Sequence, residues 1–135
     1  MLQATDPYRL VLLEAANIIR HRGHCKGSLK SDSAVCIVGS LNVALHGTPY
    51  YHKLSYSHEE QARHLDRMTD LVNILFNYLR LPNRTIEGDI ICGVRSLTEW
   101  NDKFADEDLV IRTLEGAALS SINKSYPQTG VTQYA

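Results

Sequence analysis

Residues 20–36 read RHRGHCKGSLKSDSAVC, placing two arginines, two histidines, two lysines and two cysteines in one short stretch. Two chemistries suit such a set. His21, His24, Cys25 and Cys36 are of the types that hold zinc, but structural zinc sites present paired ligands such as C-x-x-C or H-x₃₋₅-H, and these four residues form neither pair. Arg20, Arg22, Lys26 and Lys30 are candidate anion contacts, with Gly23 and Gly27 letting backbone amides approach a phosphate. No Lys-Ser/Thr comes directly after either glycine (Lys30-Ser31 stands three residues beyond Gly27), so the stretch is not a nucleotide-binding loop. The plainer reading is a basic helix end, a glycine stop, a solvated loop and the start of a buried helix.

Two further groups invite a functional reading. Tyr50, Tyr51 and Tyr56 cluster between two helical segments, and amphipathic tyrosines are good contact residues. Trp100-Asn101-Asp102 offers an aromatic anchor beside two polar side chains, although Asn and Asp there would ordinarily fold a turn by bonding nearby amides. Asp102 is also a candidate ion-pair partner for Arg20 or Arg22. Catalytic signatures are missing. His58 and His64 in HEEQARH stand six residues apart, hence about 240° apart around a helix axis, so they cannot share a metal as H-E-x-x-H does.

The elements that must position these residues read as helices. Asp6-Pro7 starts the first, Val11, Leu12, Ala15, Ile18 and Ile19 form its buried stripe, and Gly23 ends it. Ser33 is the expected cap of a second, which runs to His46 and is apolar on nearly all sides, as a helix in the middle of a bundle is. Ser57 and Glu60 form a capping box for the third, with a stripe of Leu65, Met68, Val72, Leu75 and Leu79 that ends at Pro82. Thr85 is the expected cap of a fourth, burying Ile86, Ile90, Val94 and Leu97. The fifth starts near Asp106 and buries Val110, Leu114, Ala117, Ala118 and Ile122. No stretch alternates with period two. The expectation is an all-α fold, one compact domain of about five helices over residues 1–126, with a flexible C-terminal tail at 127–135.

Three islands in this frame resemble a known pattern: Arg22-Gly23-His24-Cys25-Lys26-Gly27, then Cys36-Ile37-Val38-Gly39-Ser40-Leu41, then Trp100-Asn101-Asp102. In order and spacing the chain resembles a family of small uncharacterised helical proteins encoded by actinobacteria and their phages. His24 stands where that family usually has Trp, and Ser40 where it has Ala. The resemblance implies a helical fold and a bacterial or phage cytosolic setting. It implies no activity.

Composition narrows the function classes. A net charge of −1 argues against a protein that coats nucleic acid. Three cysteines, an odd number, suit a reducing compartment, and the N-terminus lacks the basic head and apolar run of a secretory signal. A cytoplasmic location without a membrane span is expected. Charge is uneven: residues 1–30 carry five Lys/Arg against two acids, whereas 87–115 carry eight acids against three bases, so the two regions are expected to face each other within the fold or between subunits. The sequence therefore favours a non-catalytic protein-interaction module, possible as a homodimer, with no cofactor or metal. The alternatives are a small ligand- or metal-binding protein or enzyme with a pocket near His24, Cys25 and Trp100–Asp102, and a DNA-binding regulator.

Overall fold

The computed structural model describes residues 7–48, 57–80 and 90–123. Its helices are α1 (Pro7–Arg22), α2 (Ile37–His46), α3 (His58–Leu79), α4 (Ile90–Lys103) and α5 (Glu107–Asn123), and a two-stranded hairpin, β1 (Lys30–Ser31) and β2 (Ala34–Val35), lies between α1 and α2. The fold is all-α with this one small sheet, in a single compact domain. Residues 49–56, which include Tyr50, Tyr51 and Tyr56, lie outside the described residues, as do Thr85, Ile86 and the 127–135 segment. None of the described helices is long and apolar enough to cross a membrane.

Helix ends follow their local chemistry. Gly23 stops α1 in the left-handed region (φ 94°), and its amide donates to Ile19 O at 2.8 Å. Ser57 and Glu60 close the capping box, with bonds of 2.8 and 3.1 Å. Asp106 caps α5 by accepting the Leu109 amide at 2.8 Å.

The second helix departs from expectation. Ser33 does not cap it; Cys36 does, its Sγ accepting the Gly39 amide at 3.4 Å. Ser33 instead sits with Asp32 in a two-residue hairpin turn, where Asp32 adopts φ 56° and the register pairs Ser31 with Ala34. Asp and Ser stabilise turns for the same reason that they cap helices: a short polar side chain bonds nearby backbone. Here Ser33 Oγ donates to Arg22 O at 3.4 Å, and Arg22 Nε donates to Ser33 O at 2.7 Å, which ties the turn to the end of α1.

Packing is built around α1, which contacts α5 on one side and α2 on the other, while α3 closes against α4 and α5. Leu12, Ile19, Ile37, Leu41, Leu71, Leu75, Phe76, Leu97 and Leu114 are fully buried. Each such side chain contributes on the order of 1.5–3 kcal/mol of apolar transfer. α2 is enclosed over its first six residues, Ile37–Asn42, and half-open over the last four. On α3 the buried stripe begins at His64 rather than Leu65, which is 37% exposed.

His64 packs its ring edge-on against His46 at the end of α2, with centroids 4.6 Å apart. Burial, the neighbouring His46 and Arg67 lower its pKa from 6.5 to about 4. Above pH 6.5 both folded and unfolded chains hold it neutral. Between pH 6.5 and 4 the unfolded chain takes the proton and the folded one does not, so stability falls as pH drops through this window. Chemical denaturation at pH 7 and pH 5 should show a loss of about 1–2 kcal/mol from this residue. His64→Leu should remove that part of the pH dependence, and an unchanged dependence in the variant would assign it elsewhere.

Candidate functional site

Between Gly23 and Cys36 the chain leaves α1, turns through the hairpin and enters α2. Lys26, Gly27, Ser28 and residues 30–33 are exposed, whereas Val35 and Cys36 are buried. Its first residues run beside β2: Cys25 N donates to Val35 O and Val35 N to Gly23 O, both at 3.0 Å, which makes a parallel bridge between His24 and Val35. An exposed loop rich in glycine and serine would ordinarily be mobile. Two residues at the end of α4 and one at the start of α5 hold this one.

Asn101 is fully buried. Its Oδ1 accepts from His24 Nε2 at 2.7 Å and from the Ile37 amide at 2.9 Å. Its Nδ2 donates to Cys25 O at 3.1 Å and to Asp102 Oδ1 at 2.9 Å. A carboxamide offers two acceptor and two donor positions, so every one is used, and the partners fix which way the amide faces. His24 must carry its proton on Nε2 to donate. Asp102 Oδ1 also accepts the Gly27 amide at 2.9 Å, and Glu107 Oε1, in the first turn of α5, accepts the His24 amide at 3.2 Å. One buried amide and two carboxylates thus fasten His24, Cys25 and Gly27, together with the first amide of α2.

Trp100 (8% exposed) packs into the core beside this hub. The Trp-Asn-Asp triplet lies within α4 rather than after it, so Asn101 and Asp102 bond a remote loop and not their own turn. The candidate pairing of Asp102 with Arg20 or Arg22 does not form. Asp102 faces the Gly27 amide, Arg20 reaches Glu115 on α5 at 2.6 Å, and Arg22 is engaged with the hairpin turn. The Arg20–Glu115 pair does join the basic N-terminal region to the acidic C-terminal one within a single chain. With both side chains more than a third exposed, it adds well under about 1 kcal/mol.

The candidate metal ligands are spent or separated. His24 Nε2 serves Asn101, and His21 Nδ1 bonds Asn17 O at 2.9 Å. Burial, above all, raises the Cys36 thiol to about 11 and also lifts that of Cys25. Both thiols are therefore mainly protonated near neutral pH, so neither is an activated catalytic nucleophile, and any exchange with a disulfide proceeds through a small thiolate fraction. Among the described residues no three His, Cys, Asp or Glu side chains converge as a metal site would require. An open groove of about 400 Å³ lies elsewhere, lined by Leu10, Val11, Leu13, Glu14, Asn17 and Ala44, and includes none of the loop residues. Of the anion-contact candidates, Arg20 and Arg22 have protein partners, and Lys26 and Lys30 stand exposed on the loop.

Comparison with known families places the chain. The model of DUF6197, a family of unknown function, matches residues 3–119. The chain belongs to that family. No curated protein and no solved structure matches it. The DUF6197 match spans α1 through most of α5, so it takes in the 23–36 loop together with the Asn101 and Asp102 that fasten it.

Proposed function

We propose that this DUF6197 protein is a non-catalytic interaction module that presents the 23–36 loop to an acidic surface of a protein partner. The observation that carries the reading is the buried Asn101 hub. An exposed loop with Lys26, Ser28 and Lys30 at its surface is held in one conformation from beneath, so little ordering entropy remains to be lost on binding. The loop and the preceding helix end, residues 20–36, carry four basic residues against the single acid Asp32, which favours an acidic counterpart. Trp100 and Asn101 act in this reading from below the surface, as supports for the loop. A reducing cytoplasm, of an actinobacterium or of a host infected by its phage, suits the free thiols and the pattern of the three sequence islands.

The test is a paired affinity capture from host lysate with the native chain and Lys26→Glu/Lys30→Glu, alongside sedimentation of both. Both positions are exposed, so the variant should keep its helical signal and melting temperature. The expected result is a partner retained by the native chain and lost, by at least tenfold, with the variant. Equal retention by both would move the binding surface off the loop, and self-association abolished by the variant would make a second copy the partner.

A further inference from the structure

We propose that Cys25 and Cys36 form a reversible disulfide in the folded protein, a redox-modification site at the root of the 23–36 loop. The register places them together. His24 bridges Val35 in parallel, and Cys25 N donates to Val35 O. One residue further along each segment stand Cys25 and Cys36, the latter in extended backbone (φ −86°, ψ 179°). Neighbouring strands lie about 4.8 Å apart, and paired positions project to the same face. Disulfides join Cα atoms roughly 4.4–6.8 Å apart. Cys25 Sγ lies between Ser28 O at 3.4 Å and Ala34 O at 3.7 Å, so it is within reach of the segment that carries Cys36. Each thiol also lies near enough to Asp102 for that carboxylate to disfavour its ionisation. Both are free cysteines.

The two thiols differ in access, which orders the steps. Cys25 is half-exposed and Cys36 is buried. The small thiolate fraction of Cys25 attacks a low-molecular-weight disulfide such as oxidised glutathione. That breaks the S–S bond and releases one glutathione thiolate, which takes up the proton lost from Cys25. The sulfur of Cys36 then attacks the Cys25 sulfur of the mixed disulfide and expels the second glutathione as a thiolate, which takes up the Cys36 proton. Both cysteines are oxidised, and the oxidant is reduced to two thiols. The product fastens the end of α1 to the start of α2 covalently, across the gap that Asn101 spans by hydrogen bonds.

The experiment equilibrates the full chain with reduced and oxidised glutathione, natively and in urea, then blocks free thiols with iodoacetamide for mass analysis. Trypsin cleaves after Arg22, Lys26 and Lys30 and so separates the two cysteines. The expected native product is lighter by two hydrogens before blocking, has the Gly23–Lys26 peptide linked to the peptide carrying Cys36, and leaves Cys92 alkylated. The linked fraction should be higher in native protein than in urea, because the fold holds the thiols adjacent. Cys36→Ser should instead accumulate glutathione on Cys25. The proposal fails if the native chain stays fully reduced, carries glutathione on Cys25 with Cys36 free, links Cys92, or forms the Cys25–Cys36 link only in urea.

Discussion

Asn101→Leu should destabilise the protein by about 3–4 kcal/mol in urea unfolding. Leucine keeps asparagine's branched outline but carries bulkier methyl groups, so the change removes the bonding capacity and also crowds partners that now sit at hydrogen-bond distance. It leaves the Ile37 amide and the Cys25 carbonyl without their bonds, and it takes the acceptor from His24 Nε2. The hydrogen bond from the Ile37 amide is fully buried, so water does not replace it, whereas His24 and Cys25 are half-exposed and recover part of what they lose. An unsatisfied buried group costs about 1–3 kcal/mol, which falls on the Ile37 amide, and the two part-buried groups add smaller amounts. Against a total stability of roughly 5–15 kcal/mol, the loss is large enough to lower the melting temperature by many degrees. A loss below about 1 kcal/mol would mean that the loop is fastened by other contacts.

A second large effect is expected at Gly39. A Cβ there would run into the backbone carbonyl of Leu29 and press against Val35 Cβ at 3.3 Å. Neither neighbour can withdraw easily. Leu29 O accepts the Cys36 amide at 3.2 Å, and Val35 is fully buried. Alanine improves helix propensity by about 1 kcal/mol, but the clash costs more, so Gly39→Ala should destabilise by about 2 kcal/mol net. Gly116 on α5 supplies the contrast. A Cβ there meets the hydroxyl end of Tyr78, a side chain 42% exposed that can swing into solvent. Gly116→Ala should therefore change stability by less than about 1 kcal/mol. Thermal melts of the two alanine variants check the pair, and equal losses would contradict the distinction between a backbone and a side-chain obstacle.

Sequence made the helices legible wherever one residue type has one local job. Gly23 as a terminator, Ser57 with Glu60 as a capping box, and Asp106 at the start of α5 each act within four residues of themselves, and periodicity marks the buried stripes. Ser33 was ambiguous because the same hydroxyl suits a helix cap and a hairpin turn, and strands of two residues are too short to show alternation. Asn101 was the harder case. Its partners His24, Cys25 and Ile37 lie 64 to 77 residues away in sequence, so nothing local distinguishes it from a turn-forming asparagine. The only sequence signal was that Trp100-Asn101-Asp102 and the His24–Gly27 turn both stood out as separate islands of polar residues. That they meet is a property of packing, set by α4 running past the start of α2.

The central claim is that the 23–36 loop is rigid although exposed, and amide hydrogen exchange of the free native protein tests it most directly. The amides of Cys25, Gly27, Val35, Cys36 and Ile37 donate to atoms of the fold, whereas those of the exposed Lys26 and Ser28 are expected to serve as unprotected internal references. Strong protection is expected at those five, lost selectively in Asn101→Leu while the core helices keep theirs. Rapid exchange of all five in the native chain would show a loop that is not held, and the binding surface proposed here would fall with it.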